Sequence, residues 1–517
     1  MPPVDQAAVI AWLSTPSPYG AATQSVERID THTSVVFLVG DTAFKLKRAV
    51  RFDYLDYSTL ERRRHCCIEE VRLNCRTAPQ LYRRVRAVCQ APSGALALDG
   101  WDHAVDYLVE MKRFDTDAQL DRLAERGALE AALMPRLADA IAHLHGVAEP
   151  SLQHGGRDGM AAVLRGLRDG MCEHGPGVLD QEVVERVSSA SFRTLYRQAE
   201  LLDGRRAAGF VRHGHGGLHL RNICLLGGQP VLFDCIEFNS AIACVDVMYD
   251  VAFLLMDLLH RGLETHANAV LNRYLDRQGD IGGLTLLPLF LATRAAIRAM
   301  TQATAVAMQR GAAEAAALRV EAQRYLDLAQ ELIAPPAPRL VAVGGPSGSG
   351  KTTLARRLAA SVGPPPGALV LRSDVERKRL LGVPEEMRLG PDGYQQRVTQ
   401  DVYRNLAERA EAVLKTGHGV IVDAVFGDPV DQAAMRDVSR ANGVQFDGLW
   451  LTTPLDTLQA RINARVGDAS DATADVVARQ IQQMRPPESW TVLNGAGDAA
   501  TVWRAARHFI ESPEGVL

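Results

Sequence analysis

The sequence predicts two domains of different class: an α+β domain at the N-terminus and an α/β domain with a parallel sheet at the C-terminus. Three observations carry this. The run Gly345–Thr352 (GPSGSGKT) matches G-x4-G-K-[ST], with an apolar strand before it and a helix through Leu354 and Leu358 after it. Pro335-Pro336-Ala337-Pro338 stands just ahead of that strand, and proline cannot continue a helix. Upstream, short strand-like runs give way to mostly helical character from about Asp117. The expected division is residues 1–334, a Pro-rich linker at 335–338, and residues 339–517.

At 517 residues the chain exceeds one ordinary core. With 47% hydrophobic and 23% charged residues it reads as globular. A net charge of −4 gives no broad attraction to nucleic acid or an anionic membrane. The longest apolar run, Val251–Leu259, is short and broken by Asp257, so no membrane span is expected. Pro2, Pro3 and Asp5 occupy the place where a signal peptide carries its basic and apolar regions. The eight cysteines form no CxxC pair and read as reduced, mostly buried thiols. A cytoplasmic protein is the expectation.

In chain order, a short helix is expected around Val9–Leu13. Strands Ser34–Val39 and Ala43–Lys47 follow, joined by the turn signal Gly40-Asp41. A helix at Glu61–Asn74 precedes strands near Val85–Cys89, Ala95–Leu98 and Tyr107–Met111. Leu133, Leu137, Ile141 and Leu144 share one helical face and read as core. Ile223–Phe233 reads as strand, turn and strand, folding at Gly227-Gly228. A long helix covers Ala312–Ile333, and strands follow at Leu340–Val343, Leu369–Leu371, Val420–Asp423 and Leu449–Leu451.

The C-terminal motif has a direct chemical reading. Glycines let a loop wrap phosphates and turn its N–H groups inward. Gly345, Pro346, Ser347, Gly348, Ser349, Gly350, Lys351, Thr352 and Thr353 are therefore nucleotide-binding candidates. Lys351 would neutralise phosphate charge, while Thr352 and Asp423, the acid closing its strand, would hold Mg2+. Asp374, at the end of the second strand, can take a proton from an acceptor hydroxyl, and Arg377 can bind an anion. Ser373 with Glu376 fits a capping box. Arg461 and Arg465 stand four apart before Gly467-Asp468-Ala469-Ser470-Asp471, as in a basic lid over ATP. These pieces, over about Arg339–Phe509, resemble the small P-loop kinases that phosphorylate gluconate, polynucleotide 5′-hydroxyls or zeta-toxin substrates.

In the N-terminal part, His213-Gly214-His215-Gly216-Gly217-Leu218-His219-Leu220-Arg221-Asn222 admits a metal site of three histidines with Cys224. It also resembles the H-G-D-x-H-x-x-N loop of the aminoglycoside and choline phosphotransferases, a protein-kinase-like family. That resemblance gives His215, His219, Asn222 and Asp234 the family's positions, with Asn222 and Asp234 on Mg2+. It also makes Asp246 and Asp250 braces of the loop. It implies a phosphate-pairing lysine, Lys45 or Lys47, an ion-pair partner at Glu70 with Glu69 second, and an adenine-contacting hinge at Tyr107–Lys112. Gly217 stands where that family has its catalytic Asp, which removes the general base.

The two parts in this order resemble two-domain bacterial proteins described as bifunctional phosphotransferase/ATP-binding proteins. That resemblance implies cytoplasmic ATP-dependent phosphorylation of a hydroxyl and leaves the acceptor open. By analogy the expected acceptor is a small molecule of the sugar or aminoglycoside-like class, with the P-loop part as the engine. A nucleotide-dependent regulator with a protein partner and a nucleic-acid 5′-hydroxyl kinase are the alternatives.

Overall fold

A computed structural model describes residues 5–20, 25–52, 54–100, 103–307, 309, 311–463, 470–471 and 473–511. The chain forms two compact units. The first comprises Met1–Asp169 and Phe192–Asp257, the second Gly170–Ser191 and Leu258–Leu517. The proline segment at 335–338 therefore joins a helix and a strand of the same unit.

The first unit is built on strands β1 (Glu27–Asp30), β2 (Ser34–Val39), β3 (Thr42–Lys47), β6 (Tyr82–Gln90), β7 (Leu96–Leu98) and β8 (Ala104–Lys112). A two-stranded hairpin, β4 (Arg51–Phe52) and β5 (Leu55–Asp56), lies between β3 and β6 in sequence. The six strands form one antiparallel sheet in the order β1-β2-β3-β8-β6-β7. Strand alternation sends Val35, Phe37, Phe44, Leu46, Val88 and Leu108 to one face, where they bury Val9 and Leu13 of helix Gln6–Leu13. The opposite face packs Leu81 and Val109 against Cys67 of helix Leu60–Asn74.

Below the sheet, β9 (Val211–His213) pairs β12 (Cys244–Asp246), and β10 (Ile223–Leu226) pairs β11 (Gln229–Leu232) as a hairpin. Leu133, Leu137, Ile141 and Leu144 are all buried, as their helical spacing requires.

The second unit carries a parallel five-stranded sheet: β13 (Arg339–Gly344), β14 (Leu369–Arg372), β15 (Val420–Asp423), β16 (Gln445–Thr452) and β17 (Thr491–Asn494), in the order β14-β15-β13-β16-β17. Covered on both faces, its strands are near-continuous apolar runs. The edge strand β14 is not left open. Asn272, on helix Glu264–Gln278, accepts from Val370 N at 2.7 Å and donates to Ala368 O at 3.1 Å. A side-chain amide thus replaces the missing neighbour strand, and it ties the preceding helices to the sheet.

One helical stretch, Ile281–Val306, is long and apolar enough to cross a membrane by length and composition. Most of its apolar window is buried, with Phe290, Leu291, Ala295 and Ala299 inside the unit, which is the setting of a core helix. All eight cysteines are free thiols. Burial pushes Cys224 and Cys235 up to about 12, which keeps them unreactive.

Candidate active site

Register places the chemistry of the second unit at one edge of its sheet. Val343 pairs with Asp423, and Asp423 with Arg372. The strand ends carrying Gly345, Asp423 and Asp374 therefore converge where a parallel sheet presents its ligand-facing ends. Gly345, Gly348 and Gly350 have φ of 131°, 89° and 98°, conformations closed to most side chains, so the loop needs its glycines. A cavity of about 420 Å³ opens on Ser347–Leu354, Asp374, Asp423 and Arg461.

Within it, Thr352 Oγ1 donates to Asp423 Oδ2 at 2.6 Å. Two adjacent oxygen ligands of this kind suit a hard divalent cation such as Mg2+, so the residues present fit the ion. Lys351 Nζ donates to Pro346 O at 2.8 Å. Burial first, and then the nearby Asp423 carboxylate, push Asp374 above the usual carboxylate range, while Arg372 and Lys351 oppose the rise. A carboxylate so placed binds a proton more readily, which is what a general base needs. Arg461 donates to Gly495 O at 2.8 Å and lies beside Gly350. Arg465 lies outside the described residues, as do Gly467, Asp468 and Ala469.

Two expectations here need correction. Ser373 is not an N-cap: the helix Ser373–Leu380 is preceded by Arg372 and has no side-chain cap, and Glu376 pairs with Arg379 and Arg409 instead. Arg377 does not stand open to an anion. It is buried, donates to Gly393 O and Thr399 Oγ1, and lies over the Tyr394 ring at 4.8 Å. It holds the 390s segment in place.

The first unit assembles a second constellation. Lys45 Nζ bonds Glu70 at 2.8 Å and Asp234 at 2.6 Å. Lys47 bonds the other oxygen of Glu70 at 2.5 Å and also Glu237. Both lysines share a face, as alternation demands, and both use Glu70. Glu69 instead pairs with Arg72 on the surface. Burial opposes charge on both lysines, but the acids outweigh it and raise their pKa values.

Asp234 has φ of 62°, a costly backbone for a non-glycine residue. It is held there by Tyr82 OH on its N–H and by Asn74 Oδ1 on the N–H of Cys235. Asn222 sits alongside, since Phe233 N donates to its carbonyl at 3.0 Å. Its side-chain amide nitrogen is taken by Gly217 O, which leaves the amide oxygen as the atom suited to a cation beside Asp234.

Asp250 braces the loop by accepting from His215 N and Gly216 N. Asp246 does not: it forms a two-point pair with Arg205. Asp257, read from sequence only as a break in an apolar run, accepts from Leu220 N. The three histidines form no metal cluster. His215 Nε2 bonds Phe233 O, His219 meets the edge of Phe253, and no group of three ligating side chains occurs among the described residues.

Within the expected hinge Tyr107–Lys112, the central residues are taken up by the sheet. Leu108–Met111 pair on both sides, with β3 and with β6, so this backbone has no groups left for adenine. Room exists at Gly217. A Cβ there would meet Asn222 Nδ2 at 3.4 Å and nothing closer, so the backbone does not demand glycine.

Tyr57, Asn74 and Tyr82 were missed in the sequence, and Glu237 had no role assigned from it. Their roles depend on residues far away in the chain, and none sits in a local motif.

A family model described as an AAA domain matches residues 340–487. The uncharacterized protein Rv2004c of Mycobacterium tuberculosis is 31% identical over 493 residues, which is 92% of this chain and 95% of its own length. The chain belongs to that protein's family. The family's shared length takes in both units. Among solved structures, a gluconokinase from Sinorhizobium meliloti is 19% identical, covering 33% of this chain and 90% of its own, with a TM-score of 0.25. A choline/ethanolamine kinase family protein from Mesorhizobium loti is 13% identical, covering 63% and 99%, with a TM-score of 0.35.

Proposed function

We propose that the protein is an ATP-dependent phosphotransferase whose second unit moves a phosphoryl group onto a hydroxyl of a small molecule, of the sugar or aminoglycoside class. The observation that carries this is Asp374, a carboxylate of raised pKa in the same cavity as the phosphate loop and Asp423. A nucleotide switch has no need of a base on the acceptor side.

In this reading the loop N–H groups and Lys351 bind the phosphates, and Thr352 and Asp423 hold Mg2+. The ion, when bound, neutralises phosphate charge. Asp374 takes the acceptor's proton, and Arg461 supports the loop from beside Gly350. Arg465 belongs to the proposal as a second lid cation. The first unit keeps its lysine–glutamate pair with Asn222 and Asp234. It has Gly217 where a base is needed, and we read it as a nucleotide-binding partner impaired in transfer. A cytoplasmic setting and the absence of nucleic-acid and membrane partners are part of the same proposal.

The test is ATP consumption against a panel of sugars, aminoglycosides, nucleosides and 5′-hydroxyl oligonucleotides. One acceptor class should raise turnover in the wild type. Lys351→Ala should abolish it. Asp374→Asn should lower kcat by about 10²–10⁴ while nucleotide still binds. Turnover that survives Lys351→Ala would remove the phosphate loop from the mechanism, and hydrolysis that no hydroxyl compound accelerates would favour the regulator.

A further inference from the structure

Besides the backbone bonds of Gly345 N to Val425 O and Ser349 N to Pro346 O, three donors of the phosphate loop make contacts that involve side chains. Two of the partners, Pro346 O for Lys351 and Asp423 for Thr352, belong to the loop and its sheet. The third comes from elsewhere: Ser347 N donates to Gln480 Oε1 at 2.8 Å, and Gln480 belongs to helix Ala474–Gln483.

Residues just before that helix hold the acceptor side. Ser470 hydrogen-bonds Asp374. Asp471 accepts from Leu389 N at 3.1 Å and from Tyr394 OH at 2.8 Å, and lies 3.6 Å from Lys378. Just after it, Met484 lies close against Gly427. The described residues of this stretch thus touch the phosphate loop and the acceptor base together.

Backbone N–H groups of such a loop serve anionic oxygens, and a carboxamide oxygen is their neutral equivalent. We propose that Gln480 is an internal stand-in for a nucleotide phosphate oxygen, a latch that the incoming nucleotide displaces. This rests on the nucleotide reading of the loop. Displacing Gln480 frees the helix that follows Ser470 and Asp471, so nucleotide binds before acceptor, and the base is released only when phosphate is in place.

The experiment is calorimetric titration of the full chain with a non-hydrolysable ATP analogue and Mg2+. Gln480→Ala should tighten binding by roughly three- to ten-fold, the net worth of one neutral hydrogen bond no longer displaced. Gln480→Glu, which sets a fixed negative charge on the loop, should weaken it. Amide exchange gives a readout independent of the variants. Adding the analogue to wild type should speed exchange across residues 473–484.

Binding unchanged or weakened in Gln480→Ala, or slower exchange over that helix, would overturn the latch. If Gln480→Ala does not fold, Gln480→Glu and the wild-type exchange pattern decide the matter. A wild type that binds no analogue, or a Lys351→Ala variant that binds as well as wild type, refutes the nucleotide reading instead.

Discussion

Lys45 and Lys47 differ by one strand repeat and meet different surroundings. The side chain of Lys45 is 15% exposed and that of Lys47 1%, so Lys45 is the one able to meet a ligand. Lys47 lies beneath it, enclosed by Glu70, Glu237 and the Tyr57 ring. Removing one member of a buried ion pair leaves an uncompensated charge and typically costs about 3–5 kcal/mol. Lys47→Met should therefore lower stability by about that amount. Lys45→Met should cost much less, because Glu70 keeps Lys47 and the side chain of Asp234 is 41% exposed. Denaturant titration of the two variants checks this, and equal losses would contradict the two-layer arrangement. Sequence placed both lysines on one face and favoured Lys45 without a structural ground for the choice. What separates them is Glu237, which is distant in the chain.

Elements with a strong local pattern were legible to within a residue or two. Ser34–Val39 and Ala312–Ile333 have the limits their sequence indicates. The missed strands lack such a pattern. β1 reads Glu-Arg-Ile-Asp, is exposed along its length, and owes its form to pairing with β2. β17 alternates only weakly and is defined by β16. In the candidate site, the phosphate loop was legible because its glycines and its flanking strand and helix are contiguous. The Gln480 contact was not, because it joins residues far apart. The side-chain cover of β14 is likewise invisible to any local pattern. Asn272→Ala should leave Val370 N without its partner and cost roughly 1–3 kcal/mol. A thermal melt unchanged from wild type would show that the edge needs no such cover.

Each unit buries a histidine in its neutral form. Burial lowers the pKa of His215 in the first unit, and that of His418 in the second falls to about 4. For such a group the unfolded chain binds the proton first. Stability is whole above the ordinary histidine value of about 6.5 and is lost as pH falls from there toward about 4. Asp276 and Asp431, both raised to about 6 chiefly by burial, act in the opposite direction, so the net curve alone does not isolate the histidine. Comparison with His418→Gln does. Between about pH 6.5 and pH 4 the wild type should lose about 3 kcal/mol relative to that variant. Parallel curves would mean that His418 titrates normally.

The division into units has a consequence for synthesis. The chain passes between them at Asp169/Gly170, Ser191/Phe192 and Asp257/Leu258. Gly170–Ser191 is thus made early, while its partners are made late. The N–H of Asp180 waits for Gln323, and Arg186 for Gln330. As the ribosome moves on, the first unit can close once Asp257 has emerged. Val183, Val184 and Val187, buried in the finished protein, lie on the same helix as Arg186, whose partner Gln330 emerges late. A nascent chain stalled in that interval holds the segment Gly170–Ser191 without the later residues that complete its unit, an interval in which incomplete packing favours aggregation.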